Sequence, residues 1–163
     1  MRRKDREITD IGEIERIIEK CKVCHVAMTD KGRPYLVPLN FGYEIKEGVL
    51  TLYFHSAKEG RKLDILRDNN AVCFEMMNEG KLDKVENPCR AGYFFESVLG
   101  FGQVEFIESD DEKCAALTLL MKQQTGQNFE FTSAQADSVC VFKLVSEEFT
   151  GKRKPEPNVG KAT

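Results

Sequence analysis

The residues best suited to chemistry lie at 53–64, where the sequence reads YFHSAKEGRKLD. An apolar run ends at a histidine and a serine, and the cations Lys58, Arg61 and Lys62 follow. If a helix begins after the serine, its free backbone N–H groups and these cations meet in one place, which is an arrangement that binds phosphate. Cations in a first helical turn oppose the helix dipole unless an anion lies among them. The segment therefore predicts a phosphate site at a helix start.

A structural interpretation of the same segment stays open. Ser56 and Glu59 have the spacing of a capping box, in which a hydroxyl and a carboxylate satisfy backbone N–H groups at the helix start. His55, at the end of the apolar run, either contacts a ligand or fills the mouth of a barrel. The segment alone does not decide between these interpretations.

The second cluster with possible chemistry consists of Cys21, Cys24 and His25. Its spacing matches covalent haem attachment, and the cysteines alone match a redox pair. We favour a structural role, because the cluster lies where a helix is expected to pass into a strand and no export signal accompanies it. A zinc site would lack a fourth ligand, so no metal site is predicted. Cys73 and Cys140 lie in apolar runs and are predicted to be buried as small hydrophobic residues.

Two further runs could let a ligand approach the backbone. In VPLNFG at 37–42, Pro38 removes a ladder donor, which indicates an edge strand or a bulge. In ESVLGFG at 96–102, Gly100 and Gly102 indicate a bulge or a close backbone approach. Both runs can also be explained by strand geometry without any ligand.

Apolar periodicity and turn residues predict the elements that position these groups. Helices are predicted at 10–20, 57–67 and 110–124, and strands at 21–29, 34–43, 49–55, 71–77, 92–108 and 138–149. Asp10 is the expected N-cap of the first helix, with Glu13 as its capping-box partner, and residues 78–91 are expected to form a long loop. Six strands with short turns and only three helices favour a small antiparallel barrel with helices on its outside.

Composition narrows the class of protein. The chain has 163 residues, 41% hydrophobic and 31% charged, which suits one globular domain. We expect a single domain over residues 1–154 and a flexible tail at 155–163. The net charge of −3 argues against a nucleic-acid binder. No signal peptide or membrane-spanning run is visible, so a cytoplasmic protein is expected.

Three runs together resemble a known family. VPLNFGY at 37–43, YFHSAKEGRK at 53–62 and FESVLGFG at 95–102 are similar, in order and spacing, to the nitroimidazole-resistance (Nim) proteins. That group belongs to the pyridoxamine 5′-phosphate oxidase-like flavin-binding split barrels, and the resemblance covers residues 8–154. It implies a mainly β fold, a six-stranded antiparallel split β-barrel with peripheral helices. It also implies a homodimer with FMN at the subunit interface.

The resemblance implies a role for each candidate site residue. The isoalloxazine ring would be lined by Pro38, Leu39 and Asn40. The ribityl-phosphate would lie near His55 and Ser56. The phosphate would be surrounded by Lys58, Gly60, Arg61 and Lys62. The flavin or the partner subunit would be contacted by Ser97, Val98 and Leu99.

The implied activity is FMN-dependent reduction of a nitroaromatic, 5-nitroimidazole-like or other small aromatic acceptor, with NADH or NADPH as a possible electron donor. His55 could donate a proton or orient the acceptor. The alternative is a non-catalytic module of the same fold that holds flavin, F420 or haem. True pyridoxamine phosphate oxidases end with an Arg-x-His motif, whereas this chain reads GKRKP at 151–155 and has no histidine after His55. Oxidation of vitamin B6 is therefore not expected.

Overall fold

An N-cap and a stripe of isoleucines form the first helix, as predicted. In the computed structural model, which describes residues 3–78, 80–82, 89 and 91–155, helix α1 spans Ile11–Lys20. The Asp10 carboxylate accepts a hydrogen bond from the N–H of Glu13 at 2.9 Å, which satisfies a donor that the helix leaves free. Ile14, Ile17 and Ile18 are buried, so α1 is held to the barrel by one apolar face.

The other elements are strands and three further helices. The strands are β1 (Glu7–Ile8), β2 (Cys24–Asp30), β3 (Arg33–Leu39), β4 (Gly42–Lys46), β5 (Val49–Ser56), β6 (Ala71–Met77), β7 (Lys81–Leu82), β8 (Tyr93–Phe106) and β9 (Cys140–Lys154). The helices are α2 (Arg61–Asp68), α3 (Asp110–Thr125) and α4 (Ser133–Ala136).

The strands form one curved antiparallel sheet in the order β3-β2-β6-β8-β9-β5-β4, with β1 paired to β9 and β7 paired to β8. Every strand pair within the described residues is antiparallel. Strands β3 and β4 are the two ends of this order, so the barrel is not closed by strand pairing. The predicted mainly β, antiparallel fold class is confirmed.

Alternate residues of each strand fill the interior of the barrel. Phe54 of β5 and Phe142 of β9 stack with ring centroids 5.4 Å apart, and Phe74 of β6 is fully buried beside them in the same core. Full burial of such a side chain contributes about 1.5–3 kcal/mol of transfer free energy. The core therefore fixes which face of every strand points inward.

The predicted bulge in the long strand β8 is confirmed. The register with β9 shifts between Phe101 and Gln103, and a Cβ atom on Gly102 would lie 2.3 Å from the carbonyl oxygen of Val145. The hydroxyl of buried Ser146 donates to the carbonyl oxygen of Phe101 at 2.6 Å. Gly102 leaves room for the close approach of β9, and the Ser146 hydroxyl satisfies the carbonyl of Phe101. The bulge therefore leaves no unpaired buried carbonyl at this position.

The predicted strand at 34–43 is two strands, β3 and β4, because the chain turns at residues 40–41 to meet α3. Phe41 is fully buried at this corner. A Cβ atom on Gly42 would lie 2.4 Å from the backbone nitrogen of Leu120. Helix α3 therefore packs directly on the backbone here, which a local pattern does not reveal.

Three other boundaries differ from the prediction. Helix α2 begins at Arg61 rather than at residue 57, and part of the predicted loop at 78–91 pairs as the short strand β7. Strand β9 continues to Lys154 through pairing with β8. Apart from Pro155, the predicted tail lies outside the described residues. None of the helices in the described part of the chain is long and apolar enough to span a bilayer.

Candidate functional site

Helix α2 begins in a way that leaves its first N–H groups available. Its N-cap is Gly60, with φ of 143°, and the N–H groups of Leu63 and Asp64 donate to the Gly60 carbonyl. The N–H groups of Arg61 and Lys62 precede the first intrahelical bond. Ser56 donates its hydroxyl hydrogen to the carbonyl of Ala57 at 2.8 Å, so it does not form the capping box that the sequence allowed. The reason is that the helix starts one turn later.

The cations around α2 point in different directions. The guanidinium of Arg61 binds the Asp30 carboxylate at 2.8 and 3.2 Å and lies 4.7 Å from the centre of the Tyr35 ring. It therefore faces the hairpin of β2 and β3. Lys58 instead lies 3.5 Å from Asp137, at the end of α4. The predicted phosphate residues do not all converge on one point in this structure.

His55 and Ser56 end strand β5 and pair with Val141 and Cys140 of β9. Ser56 is buried, whereas His55 reaches solvent. The protein around the imidazole lowers the pKa of His55, and the positive charge of Lys62 lowers it further. The neutral imidazole, which can accept a proton, is thus favoured at this strand end.

The segment predicted to line a flat ring lies at an open edge. Within the described residues, β3 pairs with β2 only, which leaves the other edge of β3 for hydrogen bonds to a ligand. Pro38 is exposed, while Leu39 packs against the core. The Asn40 amide donates to the carbonyl of Lys22 at 3.0 Å and to the Gln124 side chain at 3.1 Å. The prediction that Pro38 lies in an edge strand is confirmed.

The three predicted residues of β8 divide between the two faces of the sheet. Val98 is fully buried in the core, so its side chain is directed away from solvent. Ser97 and Leu99 point to the opposite face, and Leu99 is 44% exposed. A cross-strand row on that face runs from Pro38 through His25 and Glu75 to Leu99.

This face carries exposed apolar side chains, and we call it the bare face. It comprises outward residues of β3, β2, β6 and β8, namely Leu36, Pro38, His25, Ala27, Cys73, Glu75, Met77, Ser97, Leu99 and Phe101. Leu36 is 58% exposed and Phe101 is 50% exposed, and a shallow cavity of about 570 Å³ is lined by Phe101 together with Ala27 and Cys73. Contiguous apolar surface of this kind is typical of an interaction site.

Sequence reasoning missed one pair on the bare face. The Nδ1 atom of His25 lies 3.2 Å from Glu75 Oε2, and the two residues are 50 positions apart on neighbouring strands. Only the alternation of residues in β2 and β6 could have indicated that they share a face. The pairing of these strands was not predictable from spacing.

The surroundings of Cys21 and Cys24 favour the structural role that we expect for them. Both thiols are buried, and burial raises the pKa of Cys21 to about 12 and that of Cys24 further still. A reactive thiol needs its thiolate form, which this environment opposes. No cluster of metal-ligating side chains occurs among the residues that the structure describes. Cys73 and Cys140 are only half-buried, contrary to prediction, because Cys73 points to the bare face and Cys140 begins its strand at the rim of the barrel.

Comparison with known proteins identifies the family of this antiparallel open barrel. The model of the pyridoxamine 5′-phosphate oxidase family matches residues 10–153. The chain belongs to the pyridoxamine 5′-phosphate oxidase-like family. Among curated proteins, none matches this sequence.

Solved structures of this fold bear out the resemblance. A proposed 5-nitroimidazole antibiotic resistance protein from Bacteroides thetaiotaomicron VPI-5482 is 37% identical, over 92% of this chain and 90% of that protein, with a TM-score of 0.73. A FAD and haem binding protein from Mycobacterium smegmatis is 17% identical, over 95% of this chain and 77% of that one, with a TM-score of 0.78. A flavocytochrome from Azotobacter vinelandii is 19% identical, over 99% of this chain and 75% of that one, with a TM-score of 0.77. The last two show the fold alone, and the split-barrel class is confirmed.

Proposed function

We propose that this protein is an FMN-dependent reductase of nitroaromatic, 5-nitroimidazole-like or other small aromatic acceptors. The observation that carries the proposal is the contact between the start of α2 and the hairpin of the open strand β3. Arg61, at the first position of α2, reaches Tyr35 of β3. An anionic group at the helix start and a flat ring along the edge of β3 can therefore belong to one molecule.

The side chains available suit the phosphate of FMN. Arg61 and Lys62 supply two positive charges next to backbone N–H groups that have no intrahelical partner. Arginine offers several donors in a fixed plane, which matches phosphate oxygens. In this structure Arg61 is paired with Asp30, and a phosphate would share that guanidinium. Lys58 lies beside Asp137 instead, so Arg61 and Lys62 would hold this phosphate without it.

The flavin, when bound, would supply the electron transfer itself. The protein would then provide orientation, exclusion of water and control of protons. The exposed backbone edge of β3 would hold the ring, with Pro38 and Leu39 next to it. His55, favoured in its neutral form, would exchange a proton with the acceptor or with solvent.

The bare face supports a homodimer. Leu36, Leu99 and Phe101 expose apolar area on it, and its cross-strand row ends at Pro38, which the proposal places next to the flavin. A second copy packed there would cover this area and shield the open edge of β3. The partner subunit would thus complete the ligand site and exclude water from it.

The first experiment is the visible spectrum of the purified protein, followed by identification of the released cofactor. We expect flavin bands and FMN. Titration of the apoprotein should show that FMN binds much more tightly than riboflavin, which lacks the phosphate. Equal affinity would contradict the phosphate assignment, and a colourless protein that does not bind FMN would contradict the whole proposal.

The second experiment tests catalysis. NADH or NADPH is supplied with a 5-nitroimidazole, and consumption of both is followed at steady state. Turnover supports the reductase, whereas tightly bound flavin without turnover supports the non-catalytic binding module. Pyridoxamine 5′-phosphate, tested as an alternative electron donor, serves as the negative control and is not expected to be oxidised, since residues 151–155 read GKRKP in place of an Arg-x-His motif.

The third experiment tests the residues. The double substitution Arg61→Gln and Lys62→Gln removes two charge-assisted bonds worth about 1.5–3 kcal/mol each, so FMN affinity should fall at least ~100-fold. Lys46→Gln is the matched control, because Lys46 is largely exposed at the far end of β4. An unchanged affinity in the double variant would place the phosphate elsewhere.

A further inference from the structure

A cavity rich in cations lies beside α2, and its lining includes Lys58 and Arg67 but not Arg61. It has a volume of about 340 Å³ and is enclosed by the residues before and at the end of α2, the end of β8, the start of α3 and the start of β9. Three cations line it: Lys58, Arg67 and Lys113. Two acids, Glu108 and Asp137, accompany them, so the lining carries an excess of positive charge.

The position of Asp137 is informative. One carboxylate oxygen lies 3.5 Å from Nζ of Lys58, and the other lies 3.7 Å from Nζ of Lys113. Both distances exceed those of good charge-assisted hydrogen bonds, so the carboxylate sits between two ammonium groups without binding either closely. Its side chain is 65% exposed and can move aside. An incoming anion with better geometry can therefore take its place.

Lys113 is held in the wall of the cavity. Its side chain is only 12% exposed, and it lies 3.7 Å from Asp110 within the first turn of α3. A covered ammonium group loses less to solvent screening than an exposed one, so it attracts an anion more strongly. Lys113 is therefore a mostly covered part of the cavity lining, unlike a lysine whose side chain extends into solvent.

Next to these cations, the lining also has an apolar and aromatic part. The guanidinium of Arg67 lies 5.3 Å from the centre of the Phe106 ring, and Ile107, Val139 and Val141 complete the lining. A cavity of this volume lies within the range of small-molecule sites and exceeds what one phosphate group fills. The occupant that matches both parts of the lining is an anion attached to a ring system.

We propose that this cavity binds a nucleoside phosphate, with its phosphate between Lys58, Lys113 and Arg67 and its base towards Phe106. The site is separate from the start of α2, where the flavin phosphate is proposed, and it does not depend on a bound flavin. Its lining residue Val141 is the ladder partner of His55. The ligand would therefore lie close to the proposed reaction site, as a pyridine-nucleotide electron donor must.

The test is calorimetric titration of the protein as purified with AMP, adenosine and inorganic phosphate. We expect AMP to bind, and adenosine and inorganic phosphate each to bind at least ~10-fold more weakly. Adenosine matches only the apolar and aromatic part of the lining, and phosphate matches only the cations. Lys113→Gln and Arg67→Gln should each weaken AMP binding at least ~10-fold through loss of a charge-assisted bond. Lys46→Gln, with the same loss of charge outside the cavity, should leave it unchanged. The absence of AMP binding would overturn the proposal.

Asp137→Asn tests the same cavity in the opposite direction. It removes the competing carboxylate, so AMP should bind more tightly. Because this variant is expected to gain affinity, the test remains valid even if Lys113→Gln does not fold normally. Weaker binding by this variant would contradict the proposal. Flavin content is determined in a separate measurement of the visible absorbance, so a failure of the flavin assignment is detected independently of AMP binding. If each AMP molecule that binds releases one FMN molecule, the two ligands share one site, and this result would also overturn the proposal.

Discussion

The two halves of the sheet differ in what covers their outer faces. Helix α3 packs over β4 and β5, where Leu117 joins Ile107 and Val141 in a buried cluster. The bare face has the same antiparallel backbone, yet Leu36 and Phe101 remain half-exposed on it. Helices α1 and α2 contact β8 and β2 of this half but leave those side chains exposed. The difference indicates that the covered half stabilises the monomer, whereas the bare half is available for a partner.

Matched leucine substitutions test this comparison most strongly. Leu117→Ala should lower the free energy of unfolding by about 2–5 kcal/mol, because it leaves a cavity in the buried cluster. Leu36→Ala should change it by less than about 0.5 kcal/mol at protein concentrations where the chain is monomeric. Urea unfolding measures both values. Similar losses for the two variants would mean that the halves do not differ in this way.

A charge on the bare face should act on assembly. Phe101→Glu places an unpaired carboxylate where we propose that a second copy packs, and loss of a central aromatic contact costs about 2 kcal/mol or more. The dimer dissociation constant from analytical ultracentrifugation should rise at least ~30-fold, with little change in the melting temperature of the monomer. Phe129→Glu, at a similarly exposed phenylalanine outside the bare face, is the control. Equal dimerisation of both variants would locate the interface elsewhere.

The attachment of α3, which covers this half of the sheet, to the end of α1 depends on an amide group. The Gln123 side chain donates to the carbonyls of Ile18 at 3.0 Å and Cys21 at 2.7 Å, and so satisfies acceptors at the end of α1. Gln123→Ala should cost about 1–3 kcal/mol, since the Cys21 carbonyl loses this donor and the Ile18 carbonyl keeps only the N–H of Cys21. Gln103→Ala, exposed on the bare half, should be near neutral in the same unfolding experiment. If Gln123→Ala leaves the free energy of unfolding unchanged, water replaces the amide there.

The smallest expected effect is a pH dependence of stability that comes from His55, at the end of β5 in the covered half. Because the pKa of His55 is lowered in the folded protein, the unfolded chain binds this proton more readily. The stabilisation is therefore present above the unfolded pKa, about 6.5, and is lost as the pH falls through the lowered folded value. His55→Gln should reduce the fall in melting temperature on acidification. In an NMR titration, Lys62→Gln should raise the pKa of His55, and a pKa that stays constant would exclude Lys62 as a cause.

Several parts of the fold were predictable because their signals are local. Asp10 and the isoleucine stripe predicted α1, Gly126 predicted the end of α3, and Gly102 predicted the bulge of β8. The start of α2 was not predictable, since the spacing of Ser56 and Glu59 imitated a cap that the chain does not form. The break between β3 and β4 depends on α3, which lies far along the sequence.

The sequence by itself determined the fold class, the edge position of β3 and the presence of cations around α2, because residue type, period and turn chemistry act over a few neighbouring positions. Only the tertiary structure decided where those cations point. Arg61 turns to Asp30 and Lys58 turns to Asp137, 31 and 79 positions away. It also decided which half of the sheet stays bare. Both outcomes depend on contacts between distant segments, and the spacing of residues along the chain does not encode them.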